Sequence, residues 1–208
     1  MSRYYDFFCP VRLMAGEQAL EQLPDELMAL GARRPLLLTD KGVGGSGLAT
    51  LLANVLAEGG LPVAAIWDEI PADSSTAVVE RIATRWRELG CDSLVALGGG
   101  SVIDTAKAVN ILVTLGGERL LDHAGAGCLT RPLKPLAAVP TTAGTGSEVT
   151  LVAVIRDEGS GRKVPFTAPF LLPQLAVLDP RLTRGLPLPI TAATAMDAMT
   201  HAIEAFIG

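Results

Sequence analysis

The stretch SLVALGGGSVIDTAKAV, residues 93–109, decides the fold of this chain. An apolar run of strand length leads into three glycines, and the residues after them have the apolar spacing of a helix. Gly98, Gly99 and Gly100 let the backbone turn tightly and approach a ligand closely. Ser101 is placed to cap the helix, whose free N–H groups and dipole favour a phosphate. The pattern is not GxGxxG, so an ordinary strand–helix turn remains the alternative to a phosphate site.

Other apolar runs alternate with helical segments along the chain. The expected buried strands are residues 35–40, 62–68, 93–99, 135–140 and 175–179. The expected helices are residues 46–60, 73–90 and 101–117, the second capped by Asp73 or Ser74 and ended by Gly90. This alternation predicts an α/β fold with a doubly wound, mostly parallel, Rossmann-like sheet. Residues 150–168 form two extended arms around DEGSG and predict a β-hairpin insertion.

Composition excludes several classes of protein. The 208 residues carry 17 Lys and Arg against 22 Asp and Glu, a net charge of −5, which argues against a nucleic-acid-binding surface. No apolar run approaches the length of a membrane span, so no membrane contact is expected. Cys9, Cys91 and Cys128 are far apart and match no metal or redox spacing. They predict free thiols in a reducing compartment, the cytoplasm.

A second loop, VPTTAGTGSEVT at residues 139–150, also follows a strand. Its glycines keep the backbone open, and it offers the hydroxyls of Thr141, Thr142, Thr145 and Ser147. In an open α/β sheet, ligands bind beyond the carboxyl ends of the strands. The two loops are therefore expected to face one ligand, with a solvated Thr/Gly loop as the alternative.

Asp40 ends the strand PLLLTD. A carboxylate there could bind a ribose diol and repel a 2′-phosphate, which would select NAD over NADP. In the usual order, however, the acid follows the glycine loop, whereas Asp40 precedes it. Spacing alone therefore favours a helix-capping role before KGVGGSG.

The end of the chain contains a further candidate site. After a Pro-rich stretch that resembles a linker, a helix is expected to begin near Thr191 as its N-cap. Asp197 and His201 lie one turn apart on it, as metal ligands or as an ordinary side-chain pair. Two ligands rarely suffice for zinc or iron. Apolar side chains of this helix are expected to stay exposed and to cause association, namely Ala195, Met199, Ala202, Ile203 and Phe206.

Taken in order, these segments resemble the iron-containing (group III) alcohol dehydrogenase family. The resemblance is carried by TDKGV (39–43), GGGSVIDTAKAV (98–109), PTTAGTGSEVT (140–150), Lys163, LDPRLT (178–183) and AMDAMTHAIEAF (195–206). It implies a dinucleotide-binding α/β domain over residues 1–182. Residues 183–208 would then be a linker and the first helix of an all-helical metal-binding domain that is truncated in this chain.

The resemblance also implies residue roles. Asp40 would contact the adenosine ribose, and Leu182 would pack near the adenine. Gly99, Gly100 and Ser101 would hold the pyrophosphate, with Asp104 on the same helix, and Gly98 would be a further cofactor-binding residue of the turn. The remaining cofactor contacts would be Thr141, Thr142, Thr145, Thr150, Val152 and, toward the nicotinamide ribose, Lys163. Asp197 and His201 would be two of four ligands to Fe²⁺, with Zn²⁺ or Mn²⁺ as alternatives.

The implied activity is reversible hydride transfer between a primary or secondary alcohol and NAD, with alcohol or aldehyde substrates and a homodimer or higher oligomer as the assembly. A stand-alone NAD-binding module without dehydrogenase activity is the alternative. Two departures from the family pattern are Ala195, where glycine is common, and Ala72-Asp73, where many members have Asn-Pro. The second departure puts one cofactor contact in doubt.

Overall fold

The computed structural model describes Tyr4, residues 8–125 and residues 127–207. Residues 1–3 and 5–7 of the first expected domain, Ala126, and Gly208 at the end of the second lie outside the described residues. The strands are β1 Arg12–Ala15, β2 Pro35–Leu38, β3 Ala65–Trp67, β4 Ser93–Gly98, β5 Leu136–Pro140, β6 Val152–Arg156, β7 Lys163–Thr167 and β8 Leu175–Leu178. The helices are α1 Leu23–Ala29, α2 Lys41–Gly45, α3 Leu48–Glu58, α4 Thr76–Glu88, α5 Gly100–Leu115 and α6 Leu188–Ile207.

Six strands form one parallel sheet in the order β1-β8-β5-β4-β2-β3. From β2 the chain crosses to β3 on one side and then returns to β4 on the other. This change of direction opens a crevice at the carboxyl ends of β2 and β4, where ligands bind in open α/β sheets. The predicted α/β class and the five predicted strands of this sheet are confirmed.

Both faces of the sheet are covered by helices, which is why its strands are continuously apolar. Leu36 and Leu38 of β2 belong to a buried cluster that includes α4 and α5. Leu37 points to the opposite face and joins a cluster with α1 and α3. The alternation follows from the two-residue period of a strand.

The predicted hairpin is confirmed, because β6 and β7 pair antiparallel as a separate two-stranded sheet. The carboxylate of Asp157 accepts hydrogen bonds from the backbone N–H groups of Gly159 and Ser160 in the turn. A side chain that bonds its own turn in this way fixes the hairpin locally.

Three predicted helix starts are wrong. The N-cap of α4 is Ser75, not Asp73 or Ser74. The N-cap of α5 is Gly99, so Ser101 lies in the first turn and does not cap the helix. The last helix begins at Leu188, not near Thr191. Pro189 lies in its first turn, where proline is tolerated because the N–H groups there have no intrahelical partner.

The residue pattern did not predict β1 and α1. β1 is a short edge strand with mostly exposed residues, so it lacks the apolar run of the central strands. Among the described residues, no helix combines the length and the apolar character needed to cross a bilayer. Cys9, Cys91 and Cys128 are free thiols.

Candidate functional site

Two loops meet at the carboxyl ends of β4 and β5. A Cβ placed on Gly99 would lie 3.3 Å from Thr142 Oγ1, and one on Gly100 would lie 2.9 Å from Thr145 Cγ2. The Thr141 N–H donates to the carbonyl of Gly98 at 3.1 Å. The glycines therefore let the two loops approach each other more closely than side chains would allow.

The start of α5 is open toward this junction. Its first backbone bonds are donated by Val102 and Ile103, and both are accepted by the Gly99 carbonyl. The N–H groups of Gly100 and Ser101 precede them, in the part of a helix where N–H groups have no intrahelical partner. Together with the helix dipole, this end of α5 suits a phosphate group.

A cleft of about 1030 Å³, here called the large cleft, lies over this junction. It brings together eight of the residues selected from the sequence, namely Asp40, Gly99, Gly100, Ser101, Thr141, Thr142, Thr145 and Leu182. Sequence reasoning missed Ile70, Arg81 and Ile190 in its lining. They come from a loop and two helices, and no local motif marks them.

Asp40 lies at one end of the large cleft and also caps a helix. Its Oδ1 accepts a hydrogen bond from the Val43 N–H at 2.9 Å, as the capping interpretation predicts. The hydroxyl of the buried Thr39 donates to the Leu97 carbonyl at 2.8 Å. That bond ties the end of β2 to the end of β4 and so fixes Asp40 beside the glycine turn.

The turn that carries Leu182 is held by charged groups. The Asp179 side chain is fully buried and accepts hydrogen bonds from the backbone N–H and the guanidinium of Arg181. These bonds hold the pKa of Asp179 below its ordinary value. Arg181 also pairs with both carboxylate oxygens of Glu21, at 2.8 and 2.7 Å. Arg181 lines the large cleft, so this network braces one of its walls.

A second cavity of about 400 Å³, here called the small cleft, shares Gly100, Ser101 and Thr145 with the large one. Its lining also contains six sequence-selected residues, namely Asp104, Ser147, Thr150, Val152, Lys163 and His201. The Lys163 ammonium lies 3.0 Å from Asp73 Oδ1. Asp73 has a φ of 58°, which an aspartate tolerates but a proline cannot adopt. A proline at position 73 could therefore not keep this backbone conformation.

Two selected residues lie outside both linings. Gly98 serves packing, because a Cβ there would lie 2.6 Å from Val102 Cγ2. Asp197 faces His201 across one helical turn, with 3.6 Å between Oδ1 and Nε2. Within the described residues, no group of three or more His, Cys, Asp or Glu side chains is arranged to hold a metal ion. The pair on α6 is thus a two-donor arrangement.

Residues 10–180 match the family model described as iron-containing alcohol dehydrogenase. The chain belongs to the iron-containing alcohol dehydrogenase family. The resemblance stated from the motifs is thereby confirmed. The chain is 48% identical over 193 residues to the 4-hydroxybutyrate dehydrogenase of Cupriavidus necator, covering 91% of this chain and 49% of that protein. It is 38% identical to the NAD-dependent methanol dehydrogenase of Bacillus methanolicus, covering 97% and 52%.

Solved structures of the family share this fold. A 1,3-propanediol oxidoreductase superposes with a TM-score of 0.92 at 36% identity, covering 99% of this chain and 53% of that one. The sulfoacetaldehyde reductase of Bifidobacterium kashiwanohense, solved in complex with NAD⁺, gives 0.88 at 32% identity, covering 99% and 54%. The chain thus spans about half the length of the relatives that it matches.

Proposed function

We propose that this chain binds NAD across the two clefts and supplies the cofactor-binding half of a metal-dependent alcohol dehydrogenase. The observation that carries the proposal is the junction of the glycine turn, the open end of α5 and the threonine loop in one cleft of about 1030 Å³. The pyrophosphate would lie at Gly99, Gly100 and Ser101. Bound NAD supplies a nicotinamide ring that accepts or donates a hydride.

The chain's own residues would bind and orient that cofactor. Asp40 would accept hydrogen bonds from the adenosine ribose and repel a 2′-phosphate, so NAD is proposed over NADP. Leu182 would contact the adenine. Thr141, Thr142 and Thr145 would line the middle of the dinucleotide, and Asp104, Thr150, Val152 and Lys163 would surround its nicotinamide half.

Asp197 and His201 are proposed as metal ligands of the Fe²⁺ type, with Zn²⁺ and Mn²⁺ as alternatives. The two donors do not by themselves fit a catalytic metal site, which uses at least three protein ligands. No reaction step is therefore assigned to a metal held by these two residues, and the roles proposed for the cleft residues are cofactor binding and orientation. The second candidate is an NAD-binding module without dehydrogenase activity of its own.

The substrates of the whole enzyme are proposed to be small alcohols and aldehydes, because the relatives are named as alcohol, diol and hydroxy-acid dehydrogenases. A dimer or higher oligomer is proposed from two exposed surfaces. β1 is an edge strand on which Leu13 is 50% exposed, and α6 presents an apolar face. Three free thiols suit a reducing compartment, so the cytoplasm is the proposed location.

Titration of the 208-residue chain with NADH and NADPH, followed by nucleotide fluorescence, tests the binding proposal. NADH is expected to bind more tightly, and Asp40→Ser is expected to reduce that preference. Asp68→Ser, at an exposed aspartate outside the linings of both clefts, is the matched control. Equal binding of both nucleotides by the unaltered chain would contradict the role of Asp40.

Turnover separates the two candidate functions. The purified chain is incubated with NAD, Fe²⁺ and ethanol, 1-propanol or 1,2-propanediol. NADH formation that requires Fe²⁺ would exclude the module, whereas NAD binding without metal-dependent turnover would exclude dehydrogenase activity of this chain alone.

A further inference from the structure

Lys107 is a fully buried lysine on α5 and lies outside the linings of both clefts. Its ammonium donates to the carbonyl oxygens of Thr150 and Val152, each at 2.8 Å, and contacts Thr150 Oγ1 at 3.0 Å. A protonated lysine has three N–H donors, and three acceptors meet it at this point. All three acceptors lie where the threonine loop, which ends at Thr150, meets Val152 at the start of β6.

Asp104 lies one turn earlier on α5 and binds the same segment through opposite chemistry. Its Oδ2 accepts from the Val154 N–H at 2.9 Å, and its Oδ1 accepts from the hydroxyl of Ser147. Asp104 thus accepts hydrogen bonds from donors of residues 147–154, while Lys107 donates hydrogen bonds to acceptors of the same residues. Residues 147–154 are fixed to α5 at both ends, and they supply four of the residues that line the small cleft, namely Ser147, Thr150, Val152 and Val154.

The charge of Lys107 has an energetic cost. Burial lowers the pKa of Lys107 to about 8, although the carboxylates of Asp104 and Glu148 act in the opposite direction. Replacing a buried charge by an apolar side chain of similar volume is often neutral or stabilising. A net gain in stability is therefore a weak explanation for a buried ammonium at this position. The three acceptor atoms that converge on the ammonium instead point to a role in fixing their positions.

We propose that Lys107 is a positioning residue of the cofactor site, which shapes the small cleft through Thr150 and Val152 so that the cleft receives the nicotinamide half of NAD. This inference rests on the proposed function. It assigns Lys107 no contact with the cofactor. Removing the ammonium should impair the small cleft and leave the large cleft, where the adenosine half would bind, intact.

The test compares Lys107→Met with Asn110→Leu in the full 208-residue chain. Asn110 is a matched control because it is also buried on α5, but its amide bonds the backbone of Lys134, outside both clefts. The affinity for NADH is measured beside that for ADP, which carries only the adenosine half. Lys107→Met is expected to weaken NADH binding at least tenfold and ADP binding less than twofold. Asn110→Leu should change neither by more than twofold.

The ratio of the two affinities separates positioning from general destabilisation, because partial unfolding would weaken both nucleotides alike. Equal losses for NADH and ADP in Lys107→Met would overturn the proposal. The proposal would also be overturned if Lys107→Met bound NADH as tightly as Asn110→Leu does. If Lys107→Met does not fold, Thr150→Val removes one of the three acceptors, and Thr150→Ser keeps it. Faster amide hydrogen exchange over β6 in the valine variant only would support the proposal, and unchanged exchange in both would overturn it.

Hydrogen exchange also separates this inference from the proposed function. If the unaltered chain binds neither NADH nor ADP, the proposed NAD binding fails. The positioning of residues 150–156 is then decided by their amide exchange alone. At least tenfold faster exchange in Lys107→Met than in Asn110→Leu would support a shaping role for Lys107, and equal rates would reject it.

Discussion

The helices α5 and α6 have similar apolar character and opposite surroundings. Ten of the 16 residues of α5 are buried, whereas none of the 20 residues of α6 is. Met199, Ile203 and Phe206 on α6 are 49%, 52% and 91% exposed. The site residues of the two helices differ in the same way. Asp104 is held by two hydrogen bonds from distant residues, while His201 has, among the described residues, only the nearby Asp197 as a charged partner.

This contrast shows that apolar sequence makes a helix suitable for burial but does not bury it. α5 packs between the sheet, α4 and β6, so its polar groups acquire fixed partners. α6 touches the rest of the chain near its N-terminal half, where Thr194 lies against Gly144. Within the described residues, the side chains of α5 therefore have more fixed neighbours than those of α6.

A matched pair of isoleucine truncations provides the strongest test of the contrast. Ile103 is fully buried on α5, and Ile203 is half-exposed on α6. Ile103→Ala should lower the free energy of unfolding by about 2–5 kcal/mol, because it leaves a cavity in a packed core. Ile203→Ala should change it by less than about 0.5 kcal/mol. Urea unfolding of both variants measures the difference, and comparable losses would show that α6 is packed in solution.

The buried charge on α5 should make stability depend on pH. The pKa of Lys107 is about 8 in the folded chain and has an ordinary value of 10.5. Between these values the unfolded chain binds more protons, so the contribution of Lys107 to the free energy of unfolding rises with pH. Relative to Lys107→Met, the unaltered chain should gain about 2–3 kcal/mol from pH 7 to pH 10. Relative to Asn110→Leu, which keeps Lys107, the unaltered chain should show no such gain. A constant difference from Lys107→Met would contradict the lowered pKa.

The glycines against which the two helices pack should respond differently. A Cβ on Gly98 would lie 2.8 Å from Val102 Cβ on α5, and one on Gly144 would lie 2.7 Å from the Thr194 carbonyl oxygen on α6. Gly98→Ala should cost about 1–3 kcal/mol through overpacking. Gly144→Ala should cost less than about 1 kcal/mol, because α6 can move away without uncovering a core. Thermal unfolding measures the stability loss of each variant. A larger loss for Gly144→Ala than for Gly98→Ala would contradict the comparison.

Substitutions on the exposed face of α6 should have the smallest effect on stability but should change the self-association of the chain. The exposed apolar face of α6 is expected to cause self-association as the concentration rises. Ile203→Lys with Phe206→Lys should reduce association and alter the free energy of unfolding by less than about 0.5 kcal/mol. Leu51→Lys, at an exposed position on α3, is the control that should leave association unchanged. Size-exclusion chromatography over a concentration series measures it. An unaltered chain that stays monomeric over the whole concentration series would contradict this prediction.

Much of the site could be predicted because its residues follow strands directly. Gly99, Thr141 and Asp40 each come just after a buried parallel strand, and parallel strands bring their carboxyl ends to one edge. Arg81 and Ile190 could not be predicted, because helices from distant parts of the chain bring them to the large cleft. Lys107 was missed for a related reason. Its three partners lie more than 40 residues away, and its spacing resembles that of any helical lysine.

The sequence by itself determined the strand–helix alternation, the glycine turn and the family, because these depend on local periodicity and on motifs in a fixed order. Only the tertiary structure decided which helix is buried and which polar groups acquire partners. Those outcomes depend on contacts between distant segments, as when Lys107 meets the oxygens of Thr150 and Val152 while Asp197 and His201 remain near the surface. The local pattern of α5 and α6 is similar, and the neighbours that pack against each helix make the difference.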